Sequence, residues 1–233
     1  MKKTAKKTGA ARRVEEHPSP LFTREGSGPL QKRAEKKLGA ILTAAASLMA
    51  RHGFNKTSIR DVARETGCSL AGMYYYFASK EELLFQIQRH TFASLLAEQK
   101  RSLAEAEGDR PEERFRRLVM THLAYFTSRP DELKVCGFEL ESLSDEQYEV
   151  VRDIRREYYR LAAGVVAEVM GRPRRRAADT NAVRHATMLV FGMLNWIYMW
   201  YDPKKDGSVE ALGEEMIGVV LDGLRREGKG AKS

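Results

Sequence analysis

Cysteine is scarce in this sequence, which has two in 233 residues, Cys68 and Cys136. Two cysteines are too few for a disulfide framework in a chain of this size, and their spacing is not that of a metal site. The longest apolar stretch, residues 186–201, is shorter than the roughly 20 residues that cross a bilayer, and no apolar run follows the basic start as in a secretion signal. We therefore expect a cytoplasmic protein without structural disulfides.

The motifs of common enzyme sites are also missing. The sequence contains no HExxH metal motif, no GxSxG nucleophile turn and no glycine-rich phosphate loop. Its five histidines are scattered along the chain, at His17, His52, His90, His122 and His185. We therefore expect a protein that is not an enzyme, has no catalytic residue and uses no metal and no cofactor.

Positive charge exceeds negative charge, with 40 Lys and Arg against 32 Asp and Glu and a net charge of +8. A surface of this sign attracts anions, of which nucleic acid is the commonest large one. Apolar residues make up 42% of the chain, enough for a proper core. Residues 1–31 combine lysine and arginine with glycine and proline and are predicted to form a disordered basic arm, and residues 229–233 a disordered tail.

Apolar residues recur at three- and four-residue steps along most of the chain, and no stretch alternates as a strand would. This pattern predicts an all-α protein of roughly nine helices. The first is predicted over residues 31–52, a short second one is capped by Thr57 or Ser58, and a third starts at Ser69 after a turn at Gly67. The faces expected to be buried are Ile59, Val62 and Ala63 on the second helix and Leu70, Met73 and Phe77 on the third.

The rest of the chain continues in helices. Ser79 and Glu82 have the spacing of a capping box, which predicts a fourth helix to about residue 107, and Ser144 and Gln147 repeat the pattern. Between and beyond these boxes, helices are predicted over residues 111–129, 132–140, 145–171, 176–201 and 208–226.

Two short helices joined at a glycine turn, with a longer helix in front, are typical of a DNA-reading unit. The second of the pair must fit a major groove about 12 Å wide, which suits the small residues Ser69, Ala71 and Gly72. Three consecutive tyrosines, residues 74–76, lie about 100° apart on a helix, so at least one hydroxyl points outward and can donate to a phosphate. The alternatives are that the tyrosines pack a small core and that Lys80, near a helix N-terminus, is an ordinary solvated lysine rather than a phosphate contact.

The segments TSIRDVA at 57–63 and MYYYFASKEEL at 73–83 resemble the TetR family of transcriptional regulators. The resemblance implies an all-helical, two-domain homodimer that reads a palindromic operator, with a DNA-binding domain at 32–95, a helix-turn-helix at 58–77 and a ligand-binding and dimerisation domain at 96–228. Tyr76 stands where the family often has histidine, so its contact departs from the pattern. The DNA-binding residues implied are Thr57, Ser58, Arg60, Ser69, Leu70, Ala71, Gly72, Tyr74, Tyr75, Tyr76 and Lys80.

The resemblance also implies an intersubunit four-helix bundle near the C-terminus. Residues 191–201 are apolar all round, so a helix there must be enclosed on several sides. The partner surface on the last helix is expected at Val209, Leu212, Met216, Val219, Val220 and Leu224. An ordinary monomeric core is the alternative.

A ligand cavity is predicted in the second domain, lined by Phe126, Phe138, Tyr158, Met188, Trp196 and, less directly, His122 and His185. Nearby arginines suit the phosphates of a coenzyme A thioester, or else form a solvated face paired with Asp153 and Glu157. These arginines are Arg152, Arg155, Arg156, Arg160 and Arg184.

The GMLNW stretch at 192–196 also resembles TetR-family regulators of fatty-acid, sterol and aromatic-acid breakdown that sense acyl-CoA. The function expected is therefore a ligand-released repressor with a small-molecule effector. The alternatives are a nonspecific basic DNA-binding protein and a regulator of an efflux system that senses lipophilic drugs.

Overall fold

A computed structural model of the chain describes residues 29–173 and 180–230, with side chains for residues 33–173 and 180–224. The predicted arm up to residue 28, and residues 231–233 of the predicted tail, lie outside the described residues. The chain divides into two compact units, residues 1–38 and 39–233. The first contributes the opening turns of α1 (Pro29–His52) to the described residues, and all later helices belong to the second.

The helix-turn-helix consists of α2 (Ile59–Thr66) and α3 (Leu70–Tyr76), and the long α4 (Lys80–Glu105) follows. α2 buries the predicted Ile59, Val62 and Ala63. On the α3 side Met73 and Phe77 are buried, whereas Leu70 is half-exposed because it lies in the first turn, at the edge of this small core. α4 crosses the predicted domain boundary at 95/96 without a break, and that boundary stays a prediction.

The second half of the chain forms five helices, and proline occupies the first turn of two of them, where its missing N–H costs nothing. Short 3₁₀ turns at Leu140–Ser142 and Ile197–Met199 follow the second and fourth. The described parts of the chain thus contain nine α-helices and no strand, which confirms the predicted all-α fold. The five helices are α5 (Pro111–Thr127), α6 (Pro130–Phe138), α7 (Asp145–Val169), α8 (Asn181–Asn195) and α9 (Val209–Gly230).

α8 ends earlier than predicted. It stops at Asn195 rather than Tyr201, and its predicted start at Arg176 lies outside the described residues. After Trp196 the backbone tightens to a 3₁₀ turn, in which the Met199 N–H donates to the Trp196 carbonyl at 3.1 Å. This tightening turns Tyr198 onto Phe138, whose ring centre lies 5.9 Å away in an edge-on contact.

Of the two predicted capping boxes, one forms completely. At α7, Ser144 and Gln147 exchange both hydrogen bonds. At α4, Ser79 accepts from the Glu82 N–H, but the Glu82 carboxylate does not return to Ser79. It accepts instead from Gln86, one turn further along α4, at 2.6 Å and from Gln147 at 3.2 Å, so one local and one tertiary bond replace the bond back to Ser79.

The core of the second half is centred on α5, which packs against α4, α7 and α9. α9 approaches α5 most closely at Gly213, where an added Cβ would overlap the Sδ of Met120 and lie 3.2 Å from Leu123. A buried ion pair joins Arg114 on α5 to Glu168 on α7 at 3.0 Å. No helix within the described ranges is long and apolar enough to span a membrane, and the cytoplasmic location stays a prediction.

Candidate nucleic-acid interface and effector cavity

The two helices of the helix-turn-helix are held by local backbone chemistry. Ser58 caps α2 through a complete capping box with Asp61, and this bonding lowers the pKa of the Asp61 carboxyl. Gly67 adopts a left-handed conformation, with φ of 64°, that ends α2 and begins the turn. Ser69 then caps α3 by accepting from the Gly72 N–H at 3.0 Å. These bonds fix the direction in which α3 leaves the turn.

α3 presents a polar and aromatic face to solvent. Tyr74 is 54% exposed and Tyr75 is 68% exposed, so neither packs the core. Ser69 and Ala71 are also exposed, and Tyr76 is half-buried with its ring edge-on to Tyr75 at 5.3 Å. This arrangement excludes the alternative of a tyrosine core for Tyr74 and Tyr75. Arg60 and Ser58, at the start of α2, are exposed as well.

The structure corrects the role predicted for Thr57. This residue is only 3% exposed, and its hydroxyl donates to the Gly53 carbonyl at 2.9 Å. A side chain that is buried and already bonded cannot meet a phosphate in this conformation. Thr57 instead closes the loop between α1 and α2, and the capping oxygen of α2 comes from Ser58.

Lys80 is not the ordinary solvated lysine that the sequence left open. Its Nζ donates to the Phe54 carbonyl at 3.0 Å and lies 4.1 Å from the centre of the Phe54 ring. The side chain therefore joins the start of α4 to the loop that follows α1. An ammonium group has three donors, so the predicted phosphate contact stays compatible with this bond.

Gly72 and Leu70 are less free than the sequence suggested. A Cβ added at Gly72 would lie 3.1 Å from Ser69 Oγ, the atom that caps α3. Leu70 is half-buried and supports the helix as well as facing outward. Of the four positions expected in the groove, Ser69 and Ala71 are exposed, whereas Leu70 and Gly72 are half-buried.

The second half of the chain contains a cavity of about 390 Å³. This volume is within the usual range of ligand pockets. Its wall contains no charged side chain. Two of its hydroxyl groups are already bonded, since Thr127 donates to the Leu123 carbonyl and Tyr201 to the Gly207 carbonyl. The lining residues are Phe126, Thr127, Pro130, Ile197, Tyr198, Tyr201, Pro203, Ser208 and Val209.

α6 connects this cavity with the helix-turn-helix. The helix begins at Pro130, in the cavity wall, and its carboxylate at Glu132 accepts from Thr43 on α1 at 3.4 Å and from Thr91 on α4 at 3.1 Å. Just past its end, Glu139 accepts from the backbone N–H of Phe54 at 3.3 Å. One short helix therefore contacts the cavity at one end and the loop before α2 at the other.

Comparison with known protein families agrees with this architecture. Residues 41–87 match the family of bacterial regulatory proteins of the tetR type, and residues 108–224 match the tetracyclin repressor-like C-terminal domain. The chain belongs to the TetR family. It is accordingly a DNA-binding transcriptional regulator with a helix-turn-helix.

Individual relatives of this TetR-family chain cover about four-fifths of its length. The repressor KstR2 of Rhodococcus jostii is 26% identical over 204 residues, which span 85% of this chain and 93% of KstR2. A TetR-family regulator from Bordetella parapertussis is 30% identical, with a TM-score of 0.72 and coverage of 81% and 95%. AibR, solved in complex with isovaleryl coenzyme A and operator DNA, shares the fold at 21% identity, with a TM-score of 0.65 and coverage of 79% and 98%.

The predicted ligand residues of this regulator fall into three groups. Phe126 lines the cavity, as predicted. Tyr158 is buried but hydrogen-bonded behind the cavity wall. Three others are more than half exposed and do not line the cavity: Phe138 on α6, Met188 on α8 and Trp196 just after α8. His185 is also exposed, whereas His122 is buried beside Tyr158.

The arginines do not surround the cavity. Arg152 pairs with Glu149 and Asp153, and Arg156 pairs with Asp153, as on a solvated helix face. Arg155 donates to the Cys136 carbonyl at 3.4 Å and lies over the Phe92 ring, and burial lowers its pKa. The structure thus favours the solvated-face alternative for Arg152 and Arg156, although Glu157 pairs with Lys100 instead.

Sequence reasoning missed most of the cavity wall. Ile197, Tyr198 and Tyr201 were assigned to a continuing helix, Pro203 to a plain connecting turn and Ser208 to the start of the last helix. The signal that was present is the aromatic density of 196–201 next to a proline-containing loop. That segment becomes a wall only because α6 packs against its 3₁₀ turn and the end of α5 lines the same cavity, which is tertiary information.

Proposed function

We propose that this chain is a homodimeric repressor that binds a palindromic operator through α3 and leaves it when an acyl-CoA thioester occupies the second domain. The observation that carries the DNA-reading part is the exposed face of α3, with Tyr74 and Tyr75 outward on a helix fixed by caps at Ser58 and Ser69. Exposed tyrosine hydroxyls donate to phosphate, and the small side chain at Ala71 allows close approach to base edges.

Dimerisation is supported by a face of exposed apolar residues on α8, its 3₁₀ turn and α9. Leu189 is 71% exposed, and it is accompanied by Met188, Trp196, Met199, Trp200 and Val219. Several large apolar side chains exposed on neighbouring elements suit an interaction site, and a second copy supplies the second reading head that a palindrome requires. Leu189→Glu should convert the dimer to monomers in sedimentation velocity. Val150→Glu, on the exposed side of α7, is the matched control and should leave the dimer intact.

The effector class is supported by the cavity and its rim. The neutral wall suits the apolar acyl part of a ligand. The segment that supplies Tyr201, Pro203 and Ser208 to this wall carries Lys204 and Lys205 between them, both exposed, and these cations suit phosphate groups outside the cavity. The AibR structure supports the proposal because the same fold there holds both a CoA thioester and operator DNA.

Release from DNA follows from the position of α6. A ligand in the cavity displaces Pro130, and the rigid helix carries that shift to Glu139 and the Phe54 N–H. The two reading heads then lose the spacing that matches successive half-sites about 34 Å apart. Ligand affinity and operator affinity must lower each other by the same factor, since coupling is reciprocal.

Two measurements test the proposal. Affinity for a palindrome selected from random DNA should exceed that for random duplex by at least about 10³ at physiological salt, and a ratio below about tenfold would favour the nonspecific basic protein. Acyl-CoA thioesters of increasing chain length should then dissociate the operator complex. Release by lipophilic cations and not by any thioester would favour the efflux-regulator alternative.

A further inference from the structure

A chain of hydrogen bonds lies buried behind the cavity wall. His122 is 1% exposed, and its Nδ1 is 2.8 Å from the hydroxyl of Tyr158. Gln99, also buried, donates through Nε2 to the Leu118 carbonyl at 2.9 Å and to the Tyr158 hydroxyl at 3.4 Å. The three side chains come from α5, α7 and α4, so their arrangement is a product of the tertiary fold.

The direction of these bonds fixes the tautomer of His122. The amide of Gln99 is oriented by its bond to the Leu118 carbonyl, so its remaining N–H points to Tyr158 Oη. A hydroxyl that accepts from Gln99 uses its own proton to donate to Nδ1 of His122. Because burial keeps the imidazole neutral, the ring proton sits on Nε2. Nε2 is therefore a hydrogen-bond donor.

This donor has no hydrogen-bond partner among the described residues. The ring is enclosed by aromatic side chains, with Phe126 at 4.9 Å, Tyr158 at 6.0 Å and Phe191 at 6.4 Å between ring centres. Burial lowers the pKa of His122, and the Asn195 side chain acts on this pKa in the opposite direction, as a nearby acceptor would. Asn195 does not, however, complete a hydrogen bond to Nε2. Buried donors without partners are rare in native proteins, and a group that binds there from outside the chain is one explanation for such a donor.

Phe126 links this donor to the cavity, since it lines the cavity and also packs on the ring of His122. We propose that the effector carries a carbonyl oxygen that accepts from Nε2 of His122 while its apolar body fills the cavity, with the Phe126 ring moving aside. This inference rests on the proposed function for the existence of an effector, and adds the group that is recognised and the residue that recognises it. Tyr158 and Gln99 are positioning residues that hold His122 in its donor form.

The test compares two ligands that differ in one oxygen. Octanoyl-CoA has a thioester carbonyl, whereas S-octyl-CoA has a methylene group in its place and the same chain and headgroup. Binding of each to the full-length protein is measured by isothermal titration calorimetry without DNA. We expect octanoyl-CoA to bind at least about tenfold more tightly, because the thioether leaves the buried donor unpaired.

Three variants test whether His122 is responsible for the preference for octanoyl-CoA over S-octyl-CoA. His122→Phe should reduce the ratio of the two dissociation constants to within about threefold, and Tyr158→Phe should reduce it as well, since it removes the hydroxyl that fixes the tautomer. His185→Phe, at an exposed histidine on α8, is the matched control and should keep the wild-type ratio. If a core variant fails to fold, the ¹⁵N shifts of His122 in the wild type provide a second test. They should show Nε2 protonated, with that signal moving on addition of octanoyl-CoA and not of S-octyl-CoA.

The results separate this inference from the proposed function. A ratio near one in the wild type, an unchanged ratio in His122→Phe, a proton on Nδ1, or binding of neither ligand overturns the inference. Carbonyl-dependent binding that leaves the operator complex intact supports the inference and contradicts ligand release. Release by octanoyl-CoA and S-octyl-CoA at equal concentrations supports the proposed function and contradicts the inference.

Discussion

The backbone N–H of Phe54 donates to Oε1 of Glu139 at 3.3 Å, across 85 residues of sequence. The Phe54 carbonyl also accepts a hydrogen bond from the Lys80 ammonium. Both backbone polar groups of Phe54 are therefore bonded to side chains from other parts of the chain. Glu139 accepts in addition from Ser142 Oγ at 3.1 Å. The loop that leads into the helix-turn-helix is thereby tied to the end of α6.

Glu139→Ala should loosen this loop. Removing the carboxylate leaves the Phe54 N–H unpaired in a buried position, which costs about 1–3 kcal/mol of unfolding free energy. Hydrogen exchange of the Phe54 amide should become at least about tenfold faster, measured by NMR or mass spectrometry. Glu141→Ala, at an exposed carboxylate two residues on, should change neither quantity. Equal effects of the two substitutions would argue against the tie.

Tyr75→Phe should weaken binding to every DNA sequence by a similar factor. The hydroxyl is expected to donate to a phosphate, which carries no sequence information, and the loss of one such bond corresponds to about fivefold in affinity. The ring contact with Tyr76 is kept by phenylalanine. Fluorescence anisotropy with the operator and with random duplex measures the effect, and Tyr198→Phe in the cavity serves as control. A loss confined to the operator would place Tyr75 at a base instead.

Ala71→Asn and Gly72→Ala should have different kinds of effect on DNA binding. Ala71 is exposed, so asparagine there should alter the preference at one base pair by about 1–3 kcal/mol, as seen by competition among operators changed one position at a time. Alanine at position 72 meets Ser69 Oγ at 3.1 Å and should disturb the cap of α3, lowering thermal stability and affinity for all sequences. If Gly72→Ala changes base preference and leaves stability intact, Gly72 reads bases directly.

Stability should fall on acidification because of His122. Burial lowers the pKa of His122 to about 3, whereas in the unfolded chain the imidazole has its ordinary pKa of 6.5. Between these values the unfolded state binds a proton that the folded state does not. The contribution of His122 is therefore complete above about pH 6.5 and is lost as the pH falls toward 3, at up to about 1.4 kcal/mol per pH unit.

Urea unfolding at several pH values between 4 and 7 measures this slope. In His122→Phe the unfolding free energy should depend less steeply on pH, by an amount that corresponds to about one proton, because the variant has no imidazole to protonate on unfolding. His185→Gln, at an exposed histidine, should retain the wild-type slope. Parallel slopes in wild type and His122→Phe would mean that His122 is charged in the folded protein.

Two glycines of α9 offer a matched pair for the packing of α9 on α5. Alanine is preferred to glycine in a helix by about 1 kcal/mol, so Gly218→Ala, where nothing lies within 4 Å, should stabilise the protein. Gly213→Ala must displace the Met120 side chain and crowd Leu123, at a cost of about 1–3 kcal/mol that offsets or exceeds the gain. Equal melting-temperature changes for the two variants would contradict the close approach at Gly213.

The sequence alone was sufficient for the local features of this protein. Helix periodicity, a cap at Thr57 or Ser58, the Ser144 cap and the turn at Gly67 depend on neighbours within a few residues, and the structure confirms them with Ser58 as the first cap. That at least one tyrosine hydroxyl points outward also followed, because three consecutive tyrosines cannot share one helix face, and the structure exposes Tyr74 and Tyr75.

Other features were decided by the tertiary structure. Lys80 turned inward and Glu82 left its capping box because Phe54 and Gln147, distant in sequence, supplied bonds that no local pattern encodes. Thr57 turned onto the Gly53 carbonyl, four residues before it, within the loop between α1 and α2. The cavity wall likewise arises where α5 and α6 meet the 3₁₀ turn after α8, so most of its residues were missed. Caps and periodicity are short-range properties of the chain, whereas a cavity and a buried donor such as His122 exist only after distant helices have packed together.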